Sequence, residues 1–210
     1  KKEIQIQGDY FWSDNDGPLD FFLDSMHNTS YEWTVPGFST ILSGQATGSL
    51  FVDWGQQTGK VRVTIDNNCI SAQLSRQILD PGGQYPYPDP FQPHLLPGTI
   101  SAVNYDYGGE GTAYHDLGSS NQGNGPRQDE GVDTEAGNPY GHVGWINAGE
   151  WLEYSIKVED TCWVNATCRM ASLSGGGPVQ FKINGGEILD EFDVPDTDSW
   201  TSFITKDIGV

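Results

Sequence analysis

The sequence has 210 residues, with 29 acidic side chains against 10 basic ones and a formal net charge of -19 at pH 7. This balance argues against binding nucleic acid, whose phosphates need clustered Lys and Arg, and against electrostatic docking on anionic lipid. The length admits one large domain or two small ones, each able to bury a core. No stretch is long and apolar enough for a membrane-spanning helix, and no signal peptide opens the chain. An acidic surface suits work outside the cell.

Seven Trp, nine Tyr and nine Phe stand among 27 Gly and 12 Pro, a pattern of short strands joined by turns. In chain order, Tyr31, Trp33 and Val35 alternate with Glu32 and Thr34. Leu50, Val52 and Trp54 form a second apolar row, and Val61, Val63 and Ile65 a third between Lys60, Arg62, Thr64 and Asp66. Each row predicts a strand with one buried face. Pro36-Gly37, Ser43-Gly44 and Thr58-Gly59 punctuate them as turns.

From Asp80 to Gly98 the chain is crowded with proline (DPGGQYPYPDPFQPHLLPG). Proline has no backbone donor and resists sheet pairing, so residues 80–96 are expected to be an extended, semi-rigid linker. Beyond it, Leu152, Tyr154, Ile156 and Val158 alternate with polar neighbours and Trp151, and so do Val179, Phe181 and Ile183. The expected fold class is therefore all-β, as two sandwiches. Cys162 and Cys168 would share a strand face about 20 Å apart, too far to bridge. Together with Cys69 they are expected to be three free thiols.

Three segments of the first half, YEWTVP at 31–36, ILSGQATGSLFVDWG at 41–55 and VRVTIDNNC at 61–69, resemble immunoglobulin-like PKD-type domains. The resemblance implies an immunoglobulin-like β-sandwich acting as a spacer over residues 1–79. The second half carries PGTISAVNYDYGGEGTAYHD at 97–116, GVDTE at 131–135, HVGWINAGEWLEYSI at 142–156, CRMAS at 168–172 and VPDTDSW at 194–200. In that order they resemble a family 6 carbohydrate-binding module over residues 97–210. The resemblance implies a jelly-roll, lectin-like β-sandwich. Family members continue past the equivalent of Val210 with a further strand pair, so this module is read as truncated at its C-terminus. They also open on Glu-Ala-Glu, whose carboxylates help bind a structural calcium. Here the positions are Ser101-Ala102-Val103, and without those carboxylates no metal or other cofactor is expected.

Sugar rings offer an apolar face edged by hydroxyls, so their recognition needs flat aromatic surface and placed polar groups. By resemblance the two sugar-stacking aromatics are Trp145, just before INAGEW, and Trp200, after Thr197-Asp198-Ser199. A Trp in a β protein is more often core; the polar turn around Trp200 weakens that reading, whereas composition leaves Trp145 open. Asp133 and Glu135 fall where family acidic residues approach the cleft, and Tyr140 lies in the loop before Trp145. Asn138 and His142 are placed similarly. Trp151 is expected on an outer strand face, and Trp163 is given a structural role.

A glycoside hydrolase would need two carboxylates flanking one bond. Glu150 and Glu153, three apart on one strand, would face opposite sides, and no nucleophile motif, metal-ligand cluster or phosphate loop is present. The expectation is a secreted, monomeric, non-catalytic chain that binds polysaccharide or oligosaccharide. It would target a polysaccharide-degrading enzyme, whose glycoside hydrolase domain lies elsewhere in the parent protein, to β-glucan, xylan or agar-type galactan. The alternative is a purely structural or adhesion spacer.

Overall fold

The structure, a computed structural model, describes residues 3–12, 17–137, 141–161, 163 and 165–208. Among the described residues there is no α-helix; Ala102–Asn104 forms one 3-10 turn. The first domain carries β1 (Gln7–Gly8), β2 (Leu19–Phe22), β3 (Ser30–Thr34), β4 (Thr40–Ser43), β5 (Ser49–Asp53), β6 (Gly59–Asp66) and β7 (Ser71–Ile78). They pair antiparallel into two sheets, β1-β2-β5-β4 and β3-β6-β7.

The three apolar rows behave largely as their alternation dictates. Leu50, Val52, Trp54, Val61, Val63, Ile65 and Trp33 are buried together with Phe21 and Ile78, each burial contributing about 1.5–3 kcal/mol. Tyr31 and Val35 are only partly buried against that core. Both buried indoles satisfy their N–H groups on backbone oxygens, Trp33 on Thr47 at 2.7 Å and Trp54 on Gln57 at 2.9 Å. β1 approaches β2 so closely that a Cβ at Gly8, where φ is +120°, would lie 1.9 Å from the Asp20 carbonyl oxygen. Only glycine fits there.

The second domain adds β8 (His94–Leu96), β9 (Tyr114–His115), β10 (Thr134–Glu135), β11 (His142–Val143), β12 (Trp151–Leu152), β13 (Ile156–Val158), β14 (Ala166–Met170), β15 (Pro178–Ile183), β16 (Glu187–Asp193) and β17 (Ile204–Ile208). They pair as β10 with β11, β12 with β9, β14 with β17 and β15 with β16, all antiparallel, while β13 and β8 run parallel. The expected strand over 151–158 is split. β12 pairs with β9 and β13 with β8, and Ser155 between them turns its N–H and hydroxyl to Asp106 at 2.8 and 2.6 Å. Leu152 and Tyr154 pack on the core of Tyr105, Tyr114 and Val132, whereas Ile156 and Val158 are exposed.

Residues 80–96 also differ from the extended linker expected of them. Tyr85 and Tyr107 exchange two backbone hydrogen bonds of 3.0 and 2.7 Å, and His94–Leu96 forms β8 on the second domain. Proline removes the donor only at its own position, so the N–H groups of Tyr85 and His94 remain free to pair.

A polar cluster completes this core. The Arg127 guanidinium, with φ +63° at its Cα, lies 3.6 Å over the Tyr105 ring. It donates to the Tyr105 carbonyl, to the Asp106 carbonyl at 3.0 Å and to Glu130 Oε1 at 2.9 Å. Tyr105 donates its hydroxyl to Glu130 Oε2 at 2.6 Å, and burial first, then that bond, pushes its pKa up. Cys69 and Cys168 are free thiols; Cys162 lies outside the described residues.

Candidate functional site

The site is assembled from the loops around the β10–β11 pair. Thr134 faces Val143 and Glu135 faces His142 in this ladder, and the Gly144 N–H continues it to the Asp133 carbonyl at 2.9 Å. Trp145 follows directly, with φ +50° and an indole that is 50% exposed. Its loop is braced by Glu150, whose carboxylate accepts from Asn147 N at 2.7 Å, Asn147 Nδ2 at 3.2 Å and Leu117 N at 3.2 Å. Asn147 Nδ2 also donates to the Trp145 carbonyl at 2.9 Å. A loop backbone braced in this way loses little entropy on meeting a ligand.

Trp200 stands on a second turn and is 64% exposed. Thr197 ties that turn to Ser172 through its backbone N–H and its hydroxyl, at 2.9 and 3.0 Å, and Asp198 enters it with φ +56°. His142, at the start of β11, and Phe203, just before β17, make an edge contact of their rings, centroids 5.5 Å apart. His142 precedes Trp145 by three residues, and Phe203 follows Trp200 by three.

The acidic candidates have different fates. Glu135 accepts from or bonds His142 Nε2 at 2.9 Å and remains partly exposed. Asp133 is only 4% exposed, and its two oxygens are taken by the backbone and side-chain nitrogens of Gln122 at 2.6 and 3.0 Å. The structure thus gives Asp133 the work of holding the 121–134 loop. The loop presses so closely on β10 that a Cβ at Gly123 would lie 2.0 Å from the Thr134 carbonyl oxygen. Tyr140 and Asn138 lie outside the described residues.

Trp151 is 38% exposed, as its strand position predicts, and lies beside the His115 ring across the β12–β9 pair, centroids 6.5 Å apart. His115 in turn bonds Glu110. That grouping was not predictable from spacing, because it depends on which strand neighbours β12. The hydrogen bond to Glu110 holds the His115 pKa above 6.5, helped by the charges of Glu110, Glu150 and Asp116 and opposed by slight desolvation. The same bond, with the Asp116 N–H, holds Glu110 below 4.5. His115 therefore contributes stability fully below 6.5 and loses it as pH rises through its raised folded value. Glu110 contributes above 4.5 and loses it as pH falls through its lowered one. NMR titration is expected to place the His115 midpoint above 6.5, and Glu110→Gln to lower it. An unchanged midpoint in that variant would show the pair to be unimportant.

Near the 3-10 turn, Ser101 Oγ is buried without a hydrogen-bond partner, and Val103 is buried apolar surface. One hydroxyl and an isopropyl group do not make the set of oxygens that a hard divalent cation requires. Among the described residues no three His, Cys, Asp or Glu are grouped to hold a metal, and no helix is long and apolar enough to cross a membrane.

Exposed indoles on the loops of an all-β domain offer flat apolar surface of the kind that ligand-binding domains use. Family comparison agrees with that class: residues 122–210 match the model of the carbohydrate binding module, family 6, and residues 4–78 match that of a PKD-like domain. The chain thus contains a PKD-like β-sandwich followed by a family 6 carbohydrate-binding module, a non-catalytic kind of domain.

Proposed function

We propose that the second domain binds polysaccharide by stacking sugar rings on Trp145 and Trp200, with Glu135 and His142 supplying hydrogen bonds to hydroxyls. The observation that carries this reading is the exposure of Trp145 and Trp200, 50% and 64%, with the rings of His142 and Phe203, three residues from each in sequence, in contact. Large aromatic faces left in solvent on braced loops are typical of recognition surfaces. Asp133 serves the site by holding the 121–134 loop, and Tyr140 is proposed as a further sugar contact. Calcium takes no part, because Ser101 and Val103 do not supply its ligands. In a secreted parent protein the module would target a polysaccharide-degrading catalytic domain to β-glucan, xylan or agar-type galactan, with the PKD-like domain as its spacer.

Affinity electrophoresis against a panel of β-glucans, xylan and agar-type galactans tests this directly. Retardation by at least one polysaccharide is expected, with Trp145→Ala and Trp200→Ala each weakening binding about tenfold, or ~1.4 kcal/mol. Absence of retardation on every polysaccharide by folded protein would sink the binding function. Unchanged affinity in both folded variants would put the site elsewhere, and release of reducing sugar would overturn its non-catalytic character.

A further inference from the structure

Residues 79–96 fall between the two matched segments, yet they are bonded to both domains. On the first-domain side, Leu79 is buried and donates to the Tyr10 carbonyl at 2.8 Å, while Trp12 donates back to the Leu79 carbonyl at 3.2 Å. A tight turn follows, in which Asp80 accepts from Gly82 through its side chain at 2.9 Å and from Gly83 through its carbonyl at 3.2 Å. Two residues later Tyr85 is already paired with Tyr107 of the second domain. Gln84 reaches into that domain, its Nε2 donating to Asp106 Oδ2 at 2.9 Å and Glu153 Oε2 at 2.8 Å. Little slack remains between the two anchorages.

Phe11 of the first domain fills the corner. Its ring centroid lies 5.7 Å from Tyr85 and 5.0 Å from Tyr107 in tilted and edge-on geometries, the arrangements aromatic pairs prefer. Behind Tyr107 stand Tyr87 at 5.0 Å and the Arg127 guanidinium at 5.5 Å, and burial pushes the Tyr107 hydroxyl up to about 12. A second contact lies apart from the first: Tyr10, capped by the Arg76 guanidinium at 3.6 Å, meets Phe91 at 6.1 Å. Arg76 itself is held by the carbonyls of Ile6, Gly8 and Asp9 at 2.9, 2.5 and 2.8 Å. The Tyr85–Tyr107 backbone pair, the Gln84 bonds and the ring contacts of Tyr10 and Phe11 act together to restrict rotation between the domains. Domains joined by flexible linkers move independently by default, whereas this proline-rich junction is hydrogen-bonded and ring-packed on both sides.

We propose that residues 79–96 form a rigid clasp that docks the PKD-like domain on the carbohydrate-binding module through the Phe11–Tyr85–Tyr107 seam, so that both move as one body. The spacer then holds the module's binding surface in one orientation instead of tethering it. This claim is independent of which ligand the module binds.

Backbone 15N relaxation on the full chain without ligand tests it. The core strands of the two domains are expected to report one shared rotational correlation time. Phe11→Ala, or insertion of Gly-Ser-Gly-Ser after Gly82, is expected to split this into two shorter times while both domains keep dispersed spectra. Two different times in the unaltered chain would overturn the proposal. A shared time that survives both changes would overturn the seam's role. Should Phe11→Ala unfold the first domain, the insertion, which leaves every core residue in place, decides between these outcomes.

Discussion

Asp106→Ala is expected to destabilise the second domain by about 2–6 kcal/mol, from two Ser155 donors left unpaired at about 1–3 kcal/mol each. Asp106 is fully buried. Its carboxylate accepts from Ser155 N at 2.8 Å, Ser155 Oγ at 2.6 Å and Gln84 Nε2 at 2.9 Å. Alanine would leave the part-buried Ser155 N–H and hydroxyl without their acceptor, each such loss costing about 1–3 kcal/mol. The same oxygens hold the point where the chain passes from β12 to β13 and where the clasp enters through Gln84. Asp106→Asn keeps one acceptor oxygen but sets an amide against existing donors, so an intermediate loss is expected. Urea unfolding followed by circular dichroism measures both. A loss below about 1 kcal/mol for the alanine variant would mean that neighbouring water or backbone replaces the carboxylate.

Arg127→Met is expected to cost a similar amount, about 3–5 kcal/mol. Its side chain is nearly inaccessible, and it neutralises Glu130, whose side chain is itself largely covered. It also satisfies the carbonyls of Tyr105 and Asp106 and lies on the Tyr105 ring. Methionine retains apolar contact with the ring but leaves the Glu130 carboxylate without its cation and two carbonyls short of a donor. A double-mutant cycle with Glu130→Gln separates these contributions. The pair should lose less than the sum of the single variants, because the glutamine removes the uncompensated charge. Additive losses would show that the ion pair itself contributes nothing. Trp200 lies on another turn, so polysaccharide retardation should persist in any Arg127 variant that remains folded.

The first domain was legible because its rows obey a local rule. Strand period two puts Leu50, Val52 and Trp54 on one face, and a sandwich with one buried face per sheet enforces that pattern residue by residue. The second half is less regular. Tyr154 keeps its place against the core, but Ile156 and Val158 do not, because a buried carboxylate captures Ser155 and the run changes neighbours. Of the candidate site, the exposure of Trp200 followed from its polar turn, and that of Trp151 from its position among apolar neighbours. The burial of Asp133 did not follow, since its partner Gln122 lies on a loop whose path the local pattern leaves open.

By itself, the sequence determined the all-β class, because alternation and turn chemistry act over a few residues at a time, while the order of the two domains followed from the resemblance of its motifs to two families. Only the tertiary structure decided that the proline-rich segment pairs with the second domain, that Arg127 and Asp106 are buried in polar contacts, and that His142 packs on Phe203. These depend on groups separated by tens of residues, where burial and hydrogen-bond satisfaction, more than local propensity, select the partner.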